Sequence, residues 1–290
     1  MNRCLRASCS LIVILGLALS VAGEFPVTVV DDRGEEITIS GRPERIVAVS
    51  ALYAQIVLDL GAVDRLVAVG ETPDNPLEVL ALPTVGPSFA ASVEVILAQE
   101  PDLVLGATDY GGERPALEAA GVTVLSTPLL ASVNDILEAV HAIGQAIDAE
   151  PEAAVLVGCI ASEIVTAEAE VLGLPATRAA FLYAAMPDDP YGAGAGTIEN
   201  EIILRAGGEN VFADVDGFLP VAIEAILERD PDVIFTAPAH VETISDHPLF
   251  QGVSAVRHGR IVGIRASVVA STGVAGALRA MIEALHDLEL

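Results

Sequence analysis

The sequence predicts an α/β protein with two doubly wound lobes that are joined by a single long helix. A fifteen-residue pattern occurs twice, at Ser92–Gly106 and at Ala222–Thr236. Each copy predicts a short helix that stops before Pro, then an Asp and an apolar strand. Strands and helices alternate around both copies, as parallel sheets covered by helices require. Residues from Val133 to about Leu172 are helical in pattern almost throughout, and their second half, about Glu152–Leu172, predicts one long helix that joins the lobes.

The first lobe is predicted to begin with a hairpin and to continue as a parallel sheet. Alternating residues around Asp32-Arg33-Gly34 favour the hairpin, while Gly61 and Gly121 are suited to end helices. The predicted strands are Pro26–Val30, Glu36–Ile39, Arg45–Val49, Leu66–Val69, Leu103–Leu105 and Val122–Leu125, and the predicted helices are Tyr53–Leu60 and Pro115–Ala120.

The second lobe repeats this alternation after the helical middle, which is interrupted near Asp148–Pro151. Its predicted strands are Ala179–Tyr183, Val233–Phe235 and Arg260–Ile264, and its predicted helices are Ile198–Ala206 and Thr272–Leu288. The predicted division is a signal peptide at 1–22, an N-terminal Rossmann-like lobe at 23–148, a linking helix at 149–174 and a C-terminal Rossmann-like lobe at 175–290.

The N-terminus has the layout of a secretory signal peptide. Arg3 and Arg6 precede the apolar run Leu11–Leu19, which is short for a membrane span, and Ser20-Val-Ala22 offers a cleavage site of small residues. A retained anchor is the alternative. Cleavage would remove Cys4 and Cys9 and leave Cys159 alone, which excludes an internal disulfide. We therefore expect an exported protein, periplasmic or extracytoplasmic, that is soluble after removal of the signal.

The charge of the chain narrows the choice of partners. The formal net charge is −27, and all 14 basic residues are Arg. Such a surface repels nucleic acids and anionic membranes, so neither is an expected partner. The acidity could mark adaptation to high salt, and codon bias could equally supply Arg in place of Lys.

Five boxes together resemble the periplasmic binding proteins of cobalamin and ferric-siderophore ABC importers. They are Pro43–Ser50, Glu94…Pro101-Asp102-Leu-Val-Leu, Gly207–Phe212, Glu224…Pro231-Asp232-Val-Ile and Gly259–Val262, in family order and spacing. The resemblance covers about Phe25 to Leu285. It implies a class III binding protein, in which a metal chelate is held in the cleft between two α/β lobes.

The resemblance also implies roles for single residues. Glu94 and Glu224 would dock arginines of the permease dimer, one for each permease subunit, and a carboxylate in a first helical turn suits such contacts. Ligand contacts are expected from loops at the carboxyl ends of strands, namely from Tyr53, Tyr110, Tyr191, Phe218 and Arg265, with Arg114 as a further cation. The chain has no Trp, and the loop Gly70–Asn75 lacks an aromatic residue, which leaves the ligand open.

Other chemistries find less support in the sequence. Gly192–Gly196 lacks the spacing of a dinucleotide fingerprint and is interpreted as a flexible loop at the cleft. The five His residues show no metal-site spacing, and no G-x-S-x-G or H-E-x-x-H motif occurs. We therefore expect no catalysis and no resident cofactor. Ferric siderophore and corrinoid are about equally favoured as ligands, and the alternatives are a protein that binds bare transition metal or a bilobed chelatase-like enzyme.

Overall fold

The computed structural model describes residues 25–88, 90–107, 112–128, 130–183 and 190–288, and these residues form two compact units. The first unit comprises residues up to Pro128 together with Glu138–Cys159, and the second comprises Leu129–Leu137 and the residues from Ile160 onward. The predicted signal peptide at 1–22 lies outside the described residues.

The first unit contains an antiparallel hairpin and a five-stranded parallel sheet. The sheet order is β5-β4-β3-β6-β7, so the predicted hairpin and parallel sheet are both confirmed. The strands are β1 Val27–Val30, β2 Glu36–Ile39, β3 Ile46–Ala48, β4 Leu66–Glu71, β5 Thr84–Pro87, β6 Leu103–Leu105 and β7 Thr123–Leu125, and the helices are α1 Ala51–Asp59, α2 Val93–Ala98 and α3 Glu113–Ala119. Short 3-10 helices lie at Val63–Arg65 and Leu77–Val79.

Two further helices follow, α4 Val133–Ala146 and α5 Glu150–Glu170. Asp148, with φ of 58°, lies between them in the left-handed region, so the predicted interruption of the helical segment is confirmed. The unit boundaries at 137/138 and 159/160 fall inside these helices, and the division at 148 and 174 stays a prediction.

The second unit contains a mixed six-stranded sheet with the path β11-β9-β8-β12-β13, and β10 also pairs with β8. Its strands are β8 Thr177–Tyr183, β9 Tyr191–Ala193, β10 Gly208–Asn210, β11 Phe218–Pro220, β12 Val233–Thr236 and β13 Ile261–Gly263, and its helices are α6 Ile198–Arg205, α7 Ile223–Arg229, α8 Val241–Asp246, α9 Ser254–Arg257, α10 Ala266–Val269 and α11 Val274–His286. Short 3-10 helices lie at Pro238–His240 and Pro248–Gly252. The strands β8, β12 and β13 are parallel, whereas β9 and β11 form antiparallel pairs.

The interpretation of Gly192–Gly196 as a flexible loop is wrong, because Gly192 and Ala193 lie in β9 and pair with β11. Glycine is needed here for close approach of the backbone. A Cβ atom on Gly194 would lie 2.1 Å from the carbonyl oxygen of Val215, a separation that no side chain tolerates.

The repeated sequence pattern has the same structure in both units. Each copy begins as a short helix, α2 or α7, and leaves it through a residue with positive φ before Pro, Glu100 at 48° in one copy and Asp230 at 40° in the other. The amide of the following Asp then bonds near the start of a parallel strand, because Arg45 directly precedes β3 and Arg178 is the second residue of β8. The amide of Asp102 donates to the carbonyl of Arg45, and the amide of Asp232 donates to that of Arg178.

Each unit has its own apolar core. In the first unit the core lies between the sheet and helices α2 and α3 and includes Val47, Val104, Ile96 and Leu117. In the second unit Phe212, Phe250, Ile226, Ile234 and Leu182 are buried together with their neighbours. Within the described parts of the chain, no helix is both long and apolar enough to cross a membrane.

Candidate functional site

The carboxyl edge of the first sheet, where its parallel strands end, holds Tyr53 on α1. Its hydroxyl lies 3.1 Å from Oγ1 of Thr127, and the amide of Thr127 donates to it at 2.9 Å. The ring covers Gly106, where a Cβ atom would lie 2.3 Å from Cε2 of the tyrosine. Burial raises the pKa of Tyr53, while the hydrogen bonds with Thr127 oppose that rise. Only 7% of Tyr53 is exposed, which leaves little of its surface to a ligand, and its contact with a ligand stays a prediction.

Arg114 has a different place from the one predicted. Its guanidinium is buried and donates to both carboxylate oxygens of Asp32 at 2.6 and 2.8 Å, and it also lies 3.4 Å from Asp31. Both acids belong to the turn of the β1–β2 hairpin, so the pair fastens this hairpin to α3. The interpretation of Arg114 as a cation for the ligand is therefore corrected to a structural ion pair, which sequence spacing could not reveal.

Two further residues of the first unit carry buried polar atoms. They are Asn75, in the loop between β4 and β5, and Ser88, directly after β5. The amide nitrogen of Asn75 donates to the carbonyl of Gly70 at 2.7 Å, at the end of β4. Its Oδ1, and Oγ of Ser88, are buried without a hydrogen-bond partner among the described residues. The predicted ligand residue Tyr110 lies outside the described residues.

The second unit displays an aromatic cluster on the strands at the edge of its sheet. Tyr191 opens β9 and pairs with Tyr183 at the end of β8, while Phe218 opens β11. Tyr191 is 47% exposed and Phe218 is 49% exposed, although large aromatic side chains are usually buried. The ring of Tyr183 meets Phe218 edge-on at 5.7 Å between centroids and lies 5.1 Å from the ring of Phe181.

Behind this cluster lies Glu199, which sequence reasoning missed. The hydroxyl of Tyr183 donates to Oε1 of Glu199 at 2.6 Å, and only 3% of the residue is exposed. Burial raises the pKa of Glu199, and the hydrogen bond from Tyr183 works against that rise. In the sequence Glu199 is an ordinary acidic residue of a first helical turn, so only its burial distinguishes it.

Arg265 follows β13 at the carboxyl edge of the second sheet, and its side chain is exposed. Its position agrees with the predicted location, and its contact with a ligand stays a prediction.

Glu94 and Glu224 are exposed residues in the first turns of α2 and α7. The two helices have equivalent places, since α2 follows the edge strand β5 and α7 follows the edge strand β11. The hydroxyl of Ser92 donates to Glu94 at 3.2 Å. Both carboxylates are thus accessible to a partner, while docking itself stays a prediction.

The described residues contain no group of three or more His, Cys, Asp or Glu side chains arranged to hold a metal ion. His240 and His247, the pair weighed for such a site, flank the short helix α8. His247 accepts a hydrogen bond from the amide of Leu249 and meets the ring of Phe250 edge-on.

A family model described as periplasmic binding protein matches residues 46–268. The chain belongs to this family. The match includes both repeated boxes and the aromatic strands of the second unit, which agrees with the resemblance inferred from the sequence.

Relatives of this binding protein include a transporter substrate-binding lipoprotein and proteins named for binding cobalamin or vitamin B12. It is 27% identical over 256 residues to an uncharacterized ABC transporter substrate-binding lipoprotein of Bacillus subtilis, covering 86% of this chain and 81% of that protein. It is 30% identical over 236 residues to a cobalamin-binding protein of Halobacterium salinarum, covering 74% of this chain and 59% of that protein. A vitamin B12-binding protein of Vibrio parahaemolyticus is 27% identical over 208 residues, with 69% and 74% covered.

Solved structures with the same fold include two proteins that are named for iron-containing ligands. An Fe3+-hydroxamate transport system protein of Saccharomonospora viridis has a TM-score of 0.78 at 27% identity, covering 90% of this chain and 99% of that chain. A periplasmic heme-binding protein of Roseiflexus has a TM-score of 0.76 at 25% identity, covering 84% and 99%.

Proposed function

We propose that this chain is a non-enzymatic capture protein, which binds one molecule of an intact metal chelate and delivers it to the permease dimer of an ABC importer with its ATPase subunits. The observation that carries the proposal is the exposed aromatic pair Tyr191 and Phe218, held on paired strands. Exposed rings offer broad apolar contact, and the hydroxyl of Tyr191 adds a polar tip, as a large amphiphilic chelate requires. Membership of the family and the names of the relatives support the same function.

A corrinoid is the chelate that we favour. An anionic ferric siderophore calls for several accessible cations, and Arg114 is engaged with Asp32 and Asp31. Of the two arginines that the sequence suggested, Arg265 is the exposed one. Tyr53, Tyr110, Tyr191, Phe218 and Arg265 are proposed as the ligand contacts, with Tyr191 and Phe218 as the main ones because of their exposure.

We further propose that Glu94 and Glu224 meet arginine clusters on the permease. Both are accessible, and each lies on the helix that follows an edge strand of its own unit. Two separated ionic contacts bind better jointly than either does alone.

Export is part of the proposal, because capture for an importer takes place outside the cytoplasm. Cleavage after Ala22 would make Gly23 the first residue of the secreted protein. N-terminal sequencing of secreted material tests this, and recovery of Met1 or Asn2 would indicate a retained anchor.

The function is tested by mass spectrometry of ligand retained through native purification, together with absorbance titrations of cyanocobalamin, a ferric hydroxamate and haem. We expect one cyanocobalamin per chain, bound unchanged. Insertion of a metal ion into a tetrapyrrole by the protein would establish the chelatase alternative. Tight stoichiometric binding of free Zn²⁺ or Mn²⁺ that is lost in the double variant His240→Ala, His247→Ala would establish a bare-metal protein.

A further inference from the structure

The aromatic cluster of the second unit rests on one buried carboxyl group. Tyr183, the last residue of β8, contacts Phe218 edge-on and donates its hydroxyl proton to Glu199 at 2.6 Å. A tyrosine ring held at its tip by this bond and at its base by the backbone of β8 has little freedom to rotate. The ring that Phe218 packs against is therefore fixed in position.

Glu199 is an unusual residue to find in such surroundings. It is 3% exposed, and its second oxygen, Oε2, is buried without a hydrogen-bond partner among the described residues. A buried polar group without a partner costs free energy. Since an apolar residue at this position would avoid that cost, packing alone gives no reason for a carboxyl group here.

Three basic residues near α6, namely Arg205, Arg279 and His286, bind groups other than Glu199. On α6 itself, Arg205 pairs with Glu201 and with Glu168 of α5. On α11, Arg279 lies 3.6 Å from Glu170, and His286 bonds the carbonyl of Ala206. Arg205 and Arg279 thus pair with acids other than Glu199, and the largest hydrogen-bond contribution to the Glu199 carboxyl group comes from Tyr183, ahead of its own backbone and Thr197.

We propose that Glu199 is a positioning residue for ligand binding: through its hydrogen bond with Tyr183 it holds Phe218 in the orientation that contacts the chelate. The proposal rests on the proposed function, in which Phe218 touches the ligand. The strand β11 has only three residues and lies at the sheet edge, so its backbone pairs on one side alone. Packing against a fixed Tyr183 ring compensates for that weak support.

The expected size of the effect follows from pre-organisation. A side chain that is ordered before binding spares the complex the cost of ordering it, which corresponds to a loss of about 3- to 10-fold in affinity when the support is removed. The loss should appear mainly as faster release of the ligand, because affinity changes within one site are mostly changes in the dissociation rate.

The placement of Tyr183 is tested first, without any ligand. The chain has four Tyr residues, so incorporation of 3-fluorotyrosine gives four ¹⁹F signals, and the signal of residue 183 is assigned as the one that Tyr183→Phe removes. Glu199→Leu should shift or broaden this signal. Glu199→Gln, which keeps an acceptor for the hydroxyl, should leave it nearly in place, and so should the control Glu201→Gln on the same helix. An unchanged signal in Glu199→Leu would overturn the proposal.

Binding is then measured with cyanocobalamin and with a ferric hydroxamate. We expect Glu199→Leu and Tyr183→Phe to release the bound probe about 3- to 10-fold faster, and Glu199→Gln and Glu201→Gln to behave as the parent. Tyr183→Phe removes the same hydrogen bond with almost no change of volume, so it decides the question if Glu199→Leu does not fold. Parental release rates in Tyr183→Phe would overturn the positioning role. If the parent binds neither probe nor any other chelate, the proposed function fails, and the ¹⁹F result still decides whether Glu199 positions the ring.

Discussion

Arg45 and Arg178 cap equivalent helix ends in the two units. Nε of Arg45 donates to the carbonyls of Gln99 and Glu100 at 3.1 and 3.0 Å, just after α2, and Arg178 donates to the carbonyl of Arg229 at the end of α7. A cation at a helix C-terminus binds carbonyls that have no partner within the helix and interacts favourably with the helix dipole. In each repeated box, the end of the helix is thus capped by an arginine that lies more than 40 residues earlier in the sequence.

Replacing either arginine should destabilise the protein modestly. We expect Arg45→Ala and Arg178→Ala each to lower the free energy of unfolding by roughly 1 kcal/mol, since both side chains are exposed and lose hydrogen bonds to carbonyls. Urea unfolding measures the change. Arg42→Ala is the control, because the side chain of Arg42 is 51% exposed and forms long ion pairs with Glu44 and Asp148, at 3.6 and 3.4 Å, so it should change stability less. An equal effect of all three variants would contradict the capping role.

Breaking the buried ion pair between Arg114 and the hairpin should lower the free energy of unfolding by more than loss of either capping arginine does. Arg114→Ala leaves the carboxylates of Asp31 and Asp32 without their shared cation, and removing one member of a buried pair costs about 3 kcal/mol or more. Arg33→Ala is the comparison, because Arg33 contacts the same Asp31 from a position that is 28% exposed, and it should cost clearly less. Urea unfolding of both variants checks this, and equal costs would show that burial of Arg114 adds nothing.

Asp31 and Glu199 should contribute to stability with opposite dependence on pH. Burial alone would raise the pKa of Asp31, but the hydrogen bonds from Glu35 and Arg33 lower it. Its contribution is therefore present above its unfolded pKa and is lost as pH falls through the folded value. Burial raises the pKa of Glu199, so its contribution is complete below its unfolded pKa and is lost as pH rises through the folded value.

Glu199→Gln should remove the pH dependence of stability that Glu199 contributes. The variant should gain thermal stability relative to the parent as the pH increases from about 4 to 8, since the amide has no charge to bury. Thermal unfolding at several pH values measures this gain. A constant difference between variant and parent over that range would contradict the assignment.

Truncation of the exposed aromatic residues should weaken chelate binding without unfolding the protein. Tyr191→Ala and Phe218→Ala should each lower the affinity by roughly 2 kcal/mol, as is common for aromatic anchors at a binding surface. Tyr53→Phe is expected to lower mainly the stability, because it removes the hydrogen bonds between the Tyr53 hydroxyl and Thr127. Isothermal titration and thermal unfolding on the same samples separate the two effects. Parental affinity in both Ala variants would show that the ligand binds elsewhere.

Glu94 and Glu224 should matter for delivery and leave capture unchanged. Exposed ion pairs are individually weak, so the double variant Glu94→Ala, Glu224→Ala is the informative one. It should bind the chelate as the parent does and form less complex with the transporter, with the larger deficit at low salt, where charge contacts are strongest. Glu228→Ala, an exposed acid of the same helix as Glu224, is the control. Lost chelate binding with normal pull-down of the transporter would reverse the assignment.

Most of the fold could be predicted from local patterns. The turn at Asp32-Arg33-Gly34 and the Pro that stops each repeated helix act over a few residues, so the hairpin and the repeated helices were predicted, and so were four of the five parallel strands of the first sheet. The edge strand β5 was missed. The antiparallel pairing of β9 with β11 was missed, because the glycines of Gly192–Gly196 favour a loop when only the neighbouring residues are considered. The need for glycine becomes visible only in the folded structure, where the backbone of Val215 approaches Gly194 too closely for a side chain.

The sequence by itself determined the two-unit α/β architecture, the family and the accessible acids Glu94 and Glu224, because periodicity, turn residues and ordered boxes are local properties of the chain. Only the tertiary structure decided which polar groups meet. Arg114 binds the hairpin through Asp32, which lies 82 positions away in the sequence. Glu199, on α6, accepts a hydrogen bond from Tyr183, on β8. Burial and hydrogen-bond partners depend on residues distant in the chain, so these contacts become visible only after the sheets have formed.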